Sequence, residues 1–147
     1  MTTPRVFHFT YPSDWISFKN PRGAGLNEQT KAWAYQTGLI RPEDVAIERM
    51  RARFDVEAYV SQVFPLTRDV DVLRIISDFV LWSTALDDEL DEVWPRSDAI
   101  SRDELCATLM AILEGNDPPE QSRFIVPFRD MVSRIERIVR ELRSPPA

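Results

Sequence analysis

Five carboxylates crowd into six residues at Asp87-Asp88-Glu89-Leu90-Asp91-Glu92. On a helix, residues three and four apart share a face, so Asp87 aligns with Asp91, Asp88 with Glu92, and Asp88 also meets Asp91. Two carboxylates about 6 Å apart repel by roughly 3 kcal/mol at an effective dielectric near ~20. No Lys or Arg lies between Arg74 and Arg96 to relieve this locally. A hard divalent cation relieves it. Mg²⁺ takes oxygen ligands, commonly one or two protein carboxylates completed by phosphate oxygens of a substrate. Asp87, Asp88, Asp91 and Glu92 are therefore the candidate metal ligands, and the chemistry they suit is the binding of a diphosphate through Mg²⁺, which neutralises charge as a carbon–oxygen bond breaks. The run lacks the loop glycine and spaced ligands of an EF-hand. One histidine, His8, and one cysteine, Cys106, exclude a metal site built from several histidines within a single chain. The competing interpretation is a solvated acidic helix end without a ligand.

The cluster needs a helix to hold it, and helical periodicity is the recurring signal in this chain. A first helix is expected from Asn27, a good N-cap, to Gly38, a good stop. A second starts at Pro42 and runs through Val45, Ile47, Met50 and Phe54. A short helix follows through Tyr59 and Val63, ending before Pro65. The fourth, capped by Thr67, carries Val70, Leu73, Ile76, Val80 and Leu86 to Leu90 at helical spacing and stops near Trp94-Pro95. Leu81 and Trp82 broaden its apolar stripe, which marks it as central and places the acidic run at its end. Ser101-Arg102-Asp103-Glu104 is a capping box opening a helix that ends at Gly115. The last helix shows Phe128, Met131, Val132, Ile135, Ile138, Val139 and Leu142, and Pro127 starts or kinks it. Arg134, Arg137, Arg140 and Arg143, with Glu136 and Glu141, form its charged and solvated outer face. Few glycines and little β-type alternation argue against sheets. The expected fold is all-α, with roughly six helices after an irregular lead-in over residues 1–24, and a single domain over 25–147.

The 147 residues suit one domain with a sizeable core. Hydrophobic residues make up 44% and charged residues 29%, the balance of a folded soluble protein. The formal charge of −6 disfavours nucleic acid and anionic membrane as partners. An anionic substrate then needs metal ions or a local basic cluster. A lone cysteine and a start, Met1-Thr2-Thr3-Pro4-Arg5, without an apolar stretch suit a cytoplasmic protein with no membrane span.

DDxxD with a further acid, on an apolar helix, resembles the first metal motif of class I terpene synthases, in particular the bacterial sesquiterpene type. Asp87, Asp88 and Asp91 match the motif, and Asp87, Asp88 and Glu92 match its longer-spaced variant. Asn20-Pro21, Glu28, Trp33, Gly38-Leu39, Arg53-Phe54 and the run from Asp69 to Asp88 extend the resemblance over about Tyr11 to Ser144. The resemblance implies the class I terpenoid helical bundle and Mg²⁺-triggered loss of diphosphate from an isoprenyl diphosphate such as farnesyl diphosphate, followed by cyclisation in an apolar pocket. It makes Asp87 the first metal ligand and Asp91 the second, with Asp88 and Glu92 as alternatives. Val80, Ser83 and Thr84, one and two turns before Asp87, then line the substrate pocket. Ser83 and Thr84 depart from the aromatics many members carry there. Phe54 and Phe79 are the candidate pocket aromatics, although aromatics at helical spacing are more often plain core.

The family is about twice this length, and its second metal motif has no match here. Asn116-Asp117 begins like one, but Glu120 and Phe124 fill the later positions, and Pro118 and Pro119 disrupt the helix it needs. The resemblance therefore implies an amino-terminal half with little activity alone. Its uncovered apolar face is then prone to self-association. Two other functions stand beside it. A prenyl diphosphate synthase also uses an Asp-rich helix, but Val93-Trp94-Pro95 and a single Arg96 stand where that family places an arginine pair. A non-catalytic helical interaction domain needs no metal at all.

Overall fold

The computed structural model describes residues 18–41, 55–93 and 102–143. The expected helix from Pro42, with Phe54, and Ser101 of the capping box lie outside the described residues. Within them the fold is all-α, and none of their helices is long and apolar enough to cross a membrane. A 3-10 turn, Pro21–Gly23, leads into α1 (Leu26–Gln36). Then come α2 (Val56–Val63), α3 (Val70–Asp88) with a π-helical turn at Glu89–Val93, α4 (Arg102–Leu113) and α5 (Ile125–Arg143).

The caps differ from the expected ones at two points. Asn27 lies inside α1, which follows Gly25 at φ +85°. Its amide instead serves the start of α2: it donates to Asp55 at 2.9 Å and accepts from the Glu57 backbone N–H at 3.0 Å. Glu57 returns the favour by accepting from the Gly25 N–H at 2.8 Å. Thr67 does not cap α3. Asp69 does, accepting from the Asp71 and Val72 amides at 2.8 and 3.2 Å. The Thr67 carbonyl is taken by Asn20, whose side-chain amide donates to Phe64 O at 2.9 Å and Thr67 O at 2.7 Å. The same side chain caps the 3-10 turn through the Arg22 N–H at 3.0 Å. Asn20 thus ties the lead-in to the α2–α3 connection. Gly23 sits so close to α2 there that a Cβ would meet Ser61 Oγ at 2.0 Å and Ser61 Cβ at 3.2 Å, so a larger residue would force the Ser61 side chain to move. Gly38 adopts φ +72° after α1 and Gly115 φ +82° after α4, the left-handed stops expected of them. Pro127 starts rather than kinks α5: it stands in the first turn, where the missing N–H is no loss.

Helix α3 packs against α1, α2 and α5, and α4 rests on α5. The main core joins Trp33, Ala34, Leu39 and Ile40 to Leu81, Trp82 and Ala85 of α3, and to Phe124 and Met131. A second cluster places Leu73, with Ile76 and Val80 at its edge, against Leu26, Val56 and Val60. A third joins Leu105 and Ile112 of α4 to Ile125. The buried face of α3 therefore runs through Leu73, Ser77, Leu81, Asp78, Ala85 and Trp82.

Candidate functional site

Helix α3 delivers Asp87 and Asp88 in its last turn, and the chain continues into the π-helical turn that carries Glu89 and Asp91. Asp87, Asp88 and Asp91 are all exposed. At solvent dielectric the repulsion of a carboxylate pair about 6 Å apart falls below about 1 kcal/mol, so the crowding costs less than a buried helix end would. A π turn bonds residues five apart and is wider than an α turn, so the four-residue alignment of Asp87 with Asp91 is loosened.

Neutralisation comes from far along the chain. Glu89, half-buried, is ion-paired with Arg123, which precedes α5 and lies over the Phe124 ring at 5.3 Å. Arg102, at the start of α4, reaches toward Leu90 O at 3.5 Å. Glu89 is therefore committed to holding the acidic turn against α5, while Asp87 and Asp91 make no hydrogen bond or ion pair with a described residue. No three carboxylate, histidine or cysteine side chains among the described residues converge closely enough to ligate one ion. The side chain of Glu92 lies outside the described residues. Two free carboxylates still fit Mg²⁺, which takes one or two from the protein and leaves its other positions to water and phosphate.

Ile76, Phe79, Val80, Ser83 and Asp87 share one side of α3, with Ile76 and Val80 at the margin of its buried face. Val80 is half-buried at the edge of the α1–α2–α3 cluster. Ser83 and Thr84, also half-buried, both donate to the Val80 carbonyl, at 3.1 and 2.8 Å. Their protons are spent on the helix itself, so the face stays effectively apolar despite two hydroxyls. Phe79 is 49% exposed and stacks on Trp82, ring centroids 6.0 Å apart. Neither a protein-family model nor a curated protein nor a solved structure matches the chain.

The most elaborate polar arrangement lies elsewhere. Asp78, 0% exposed, accepts from Thr30 Oγ1 at 2.8 Å and from Arg134 Nη2 at 2.7 Å. With its own hydrogen on Asp78, Thr30 Oγ1 accepts from the Ser77 hydroxyl at 2.7 Å. Arg134 Nε stands 3.0 Å from Asp130, which accepts the Trp33 indole N–H at 2.8 Å. The Arg134 guanidinium lies over the Trp33 ring at 5.7 Å. Burial pushes the Asp78 carboxyl above its ordinary value, against the opposing pull of the Thr30 hydroxyl and of Arg134. Arg134 is thus no part of a solvated face. It stands one turn past Met131, on the side of α5 that meets α1 and α3. Its fellow Arg137 is exposed as expected. The apolar stripe of α5 splits in the same way: Met131 is buried, but Ile135, Val139 and Leu142 are 48%, 39% and 80% exposed. The sequence signal for the network was an aspartate in the middle of the most apolar helix.

Proposed function

We propose that this chain is the amino-terminal half of a class I terpene synthase, and that its acidic turn binds Mg²⁺ together with the diphosphate of an isoprenyl substrate such as farnesyl diphosphate. The observation that carries this reading is the meeting, at one helix end, of two carboxylates without a partner among the described residues, Asp87 and Asp91, with a largely apolar helix face whose hydroxyls donate to the helix itself. When bound, the metal supplies charge neutralisation for the departing diphosphate. Asp87 and Asp91 hold the metal's protein side, and Asp88 and Glu92 stand beside them as alternates. Ile76 and Val80 keep water from the hydrocarbon part of the substrate. Phe79, half-exposed on that face, offers an aromatic surface to positive charge. Glu89 and Arg123 keep the turn docked on α5.

The test is thermal melting of the chain with Mg²⁺ plus inorganic diphosphate. A ligand at about 100 times its Kd adds about 2.7 kcal/mol, which for a domain this size raises Tm by roughly 5–10 °C. The shift should require both Mg²⁺ and diphosphate and vanish in the double variant Asp87→Asn/Asp91→Asn. A Tm indifferent to the pair, or a shift retained by the double variant, defeats the proposal and leaves the non-catalytic helical domain.

A further inference from the structure

A groove of about 160 Å³ opens on the other side of α3, between α1, α3 and α5. Its polar lining is Gln36, Asp71, Arg74, Asp130, Arg134 and Arg137. Asp71 and Asp87 are sixteen residues apart on one helix, so the groove and the acidic turn are separated by about 24 Å. Arg134 is already committed to Asp78 and Asp130, and Asp130 to Arg134 and Trp33. Arg74 and Arg137 are not. Neither makes a hydrogen bond or ion pair with a described residue, and the Nε of Arg74, like that of Arg134 beside it, is buried without a hydrogen-bond partner. Arg74 influences Asp78 only at a distance. Two guanidinium groups, from two different helices, and the Asp71 carboxylate therefore line one groove without side-chain partners among the described residues, while its third arginine is held in place. A buried donor without a partner is costly, and guanidinium forks match the oxygens of tetrahedral oxyanions. The volume lies well below the ~300 Å³ at which organic ligands are usually enclosed.

We propose that this groove binds a small phosphate-type oxyanion between Arg74 and Arg137, independently of metal. The ligand is free phosphate or the phosphate group of a monoester whose organic part lies outside the groove. The site shares no residue with the acidic turn, so either can fail alone.

Calorimetric titration of the full chain with inorganic phosphate, in EDTA and at constant ionic strength, tests this. A parallel titration with a phosphate monoester distinguishes the sources: equal affinity assigns the site to the phosphate group itself, and tighter monoester binding assigns it to an ester. Saturable one-site binding is expected. Arg137→Gln, at an exposed position, and Arg74→Gln should each weaken it roughly tenfold or more. Asp71→Asn should strengthen it by removing the opposing charge. Asp87→Asn/Asp91→Asn should leave it unchanged. Absence of saturable heat from either ligand in the folded wild-type chain overturns the proposal. So does undiminished affinity in folded Arg137→Gln, or weakening in the Asp87→Asn/Asp91→Asn chain.

Discussion

Replacing Asp78 by leucine keeps the branching of the side chain, enlarges it and removes its charge from a position with 0% exposure. Two bonds go with it, those from Thr30 at 2.8 Å and Arg134 at 2.7 Å. Losing one partner of a buried ion pair costs about 3–5 kcal/mol, because the remaining charge is stranded. Arg134 keeps Asp130 at 3.0 Å and is 19% exposed, so it is only partly stranded, and Thr30 keeps Ser77. The low end applies, about 3 kcal/mol. The pair itself is a different matter. Burial raises the Asp78 pKa, so the ionised carboxylate is worse off here than in water even with Arg134 beside it. It follows that Asp78→Leu/Arg134→Met, which removes both charges, should be more stable than Asp78→Leu and fall short of the wild type only by the roughly 1–3 kcal/mol that the larger leucine costs in packing. The sign with pH agrees. With the native pKa above the unfolded one, the native state takes up its proton first, so this group lowers stability as pH rises through the native pKa. Urea unfolding followed by fluorescence of the buried Trp33 and Trp82 reads all three chains. A loss below about 1 kcal/mol in Asp78→Leu, or a double variant weaker than the single, refutes the reasoning.

Three further outcomes follow from the caps. Asn20→Ala should cost roughly 2–4 kcal/mol, since it strands the Phe64 and Thr67 carbonyls as well as the Arg22 amide. Asn20→Asp should cost at least as much, because a carboxylate cannot donate to those carbonyls. Were capping the whole role, aspartate would unfold at the same urea concentration as wild type. Asp55→Ala should cost about 1 kcal/mol at neutral pH. The Ala58 backbone amide, then Asn27, hold the Asp55 carboxyl below its ordinary 3.8, so its contribution is full above that value and disappears as pH falls through the lower native one. A wild-type-to-variant gap as wide at about pH 2 as at neutrality contradicts this.

Much of the architecture was legible in the chain. The apolar periodicity of Leu73, Ile76, Val80 and Leu86 made α3 central, Gly38 and Gly115 stopped their helices, and Asp87 to Glu92 fell at a helix end, because local propensity and a 3.6-residue period are properties of neighbouring residues. Partners distant in sequence were not legible. Nothing in the sequence near Glu89 announces Arg123, thirty-four positions away, nor does anything near Asp78 announce Arg134 or Thr30. Asn27 and Thr67 are sound caps by residue type, yet neighbouring segments claimed their groups for other bonds. The arginines of α5 share one helical face pattern, and only the packing of α5 on α1 and α3 buried Arg134 while leaving Arg137 in solvent. The sequence set which groups were available and on which helix. Tertiary packing decided which charges were neutralised and which were left open, because burial and pairing depend on what the folded chain brings within about 4 Å of each group.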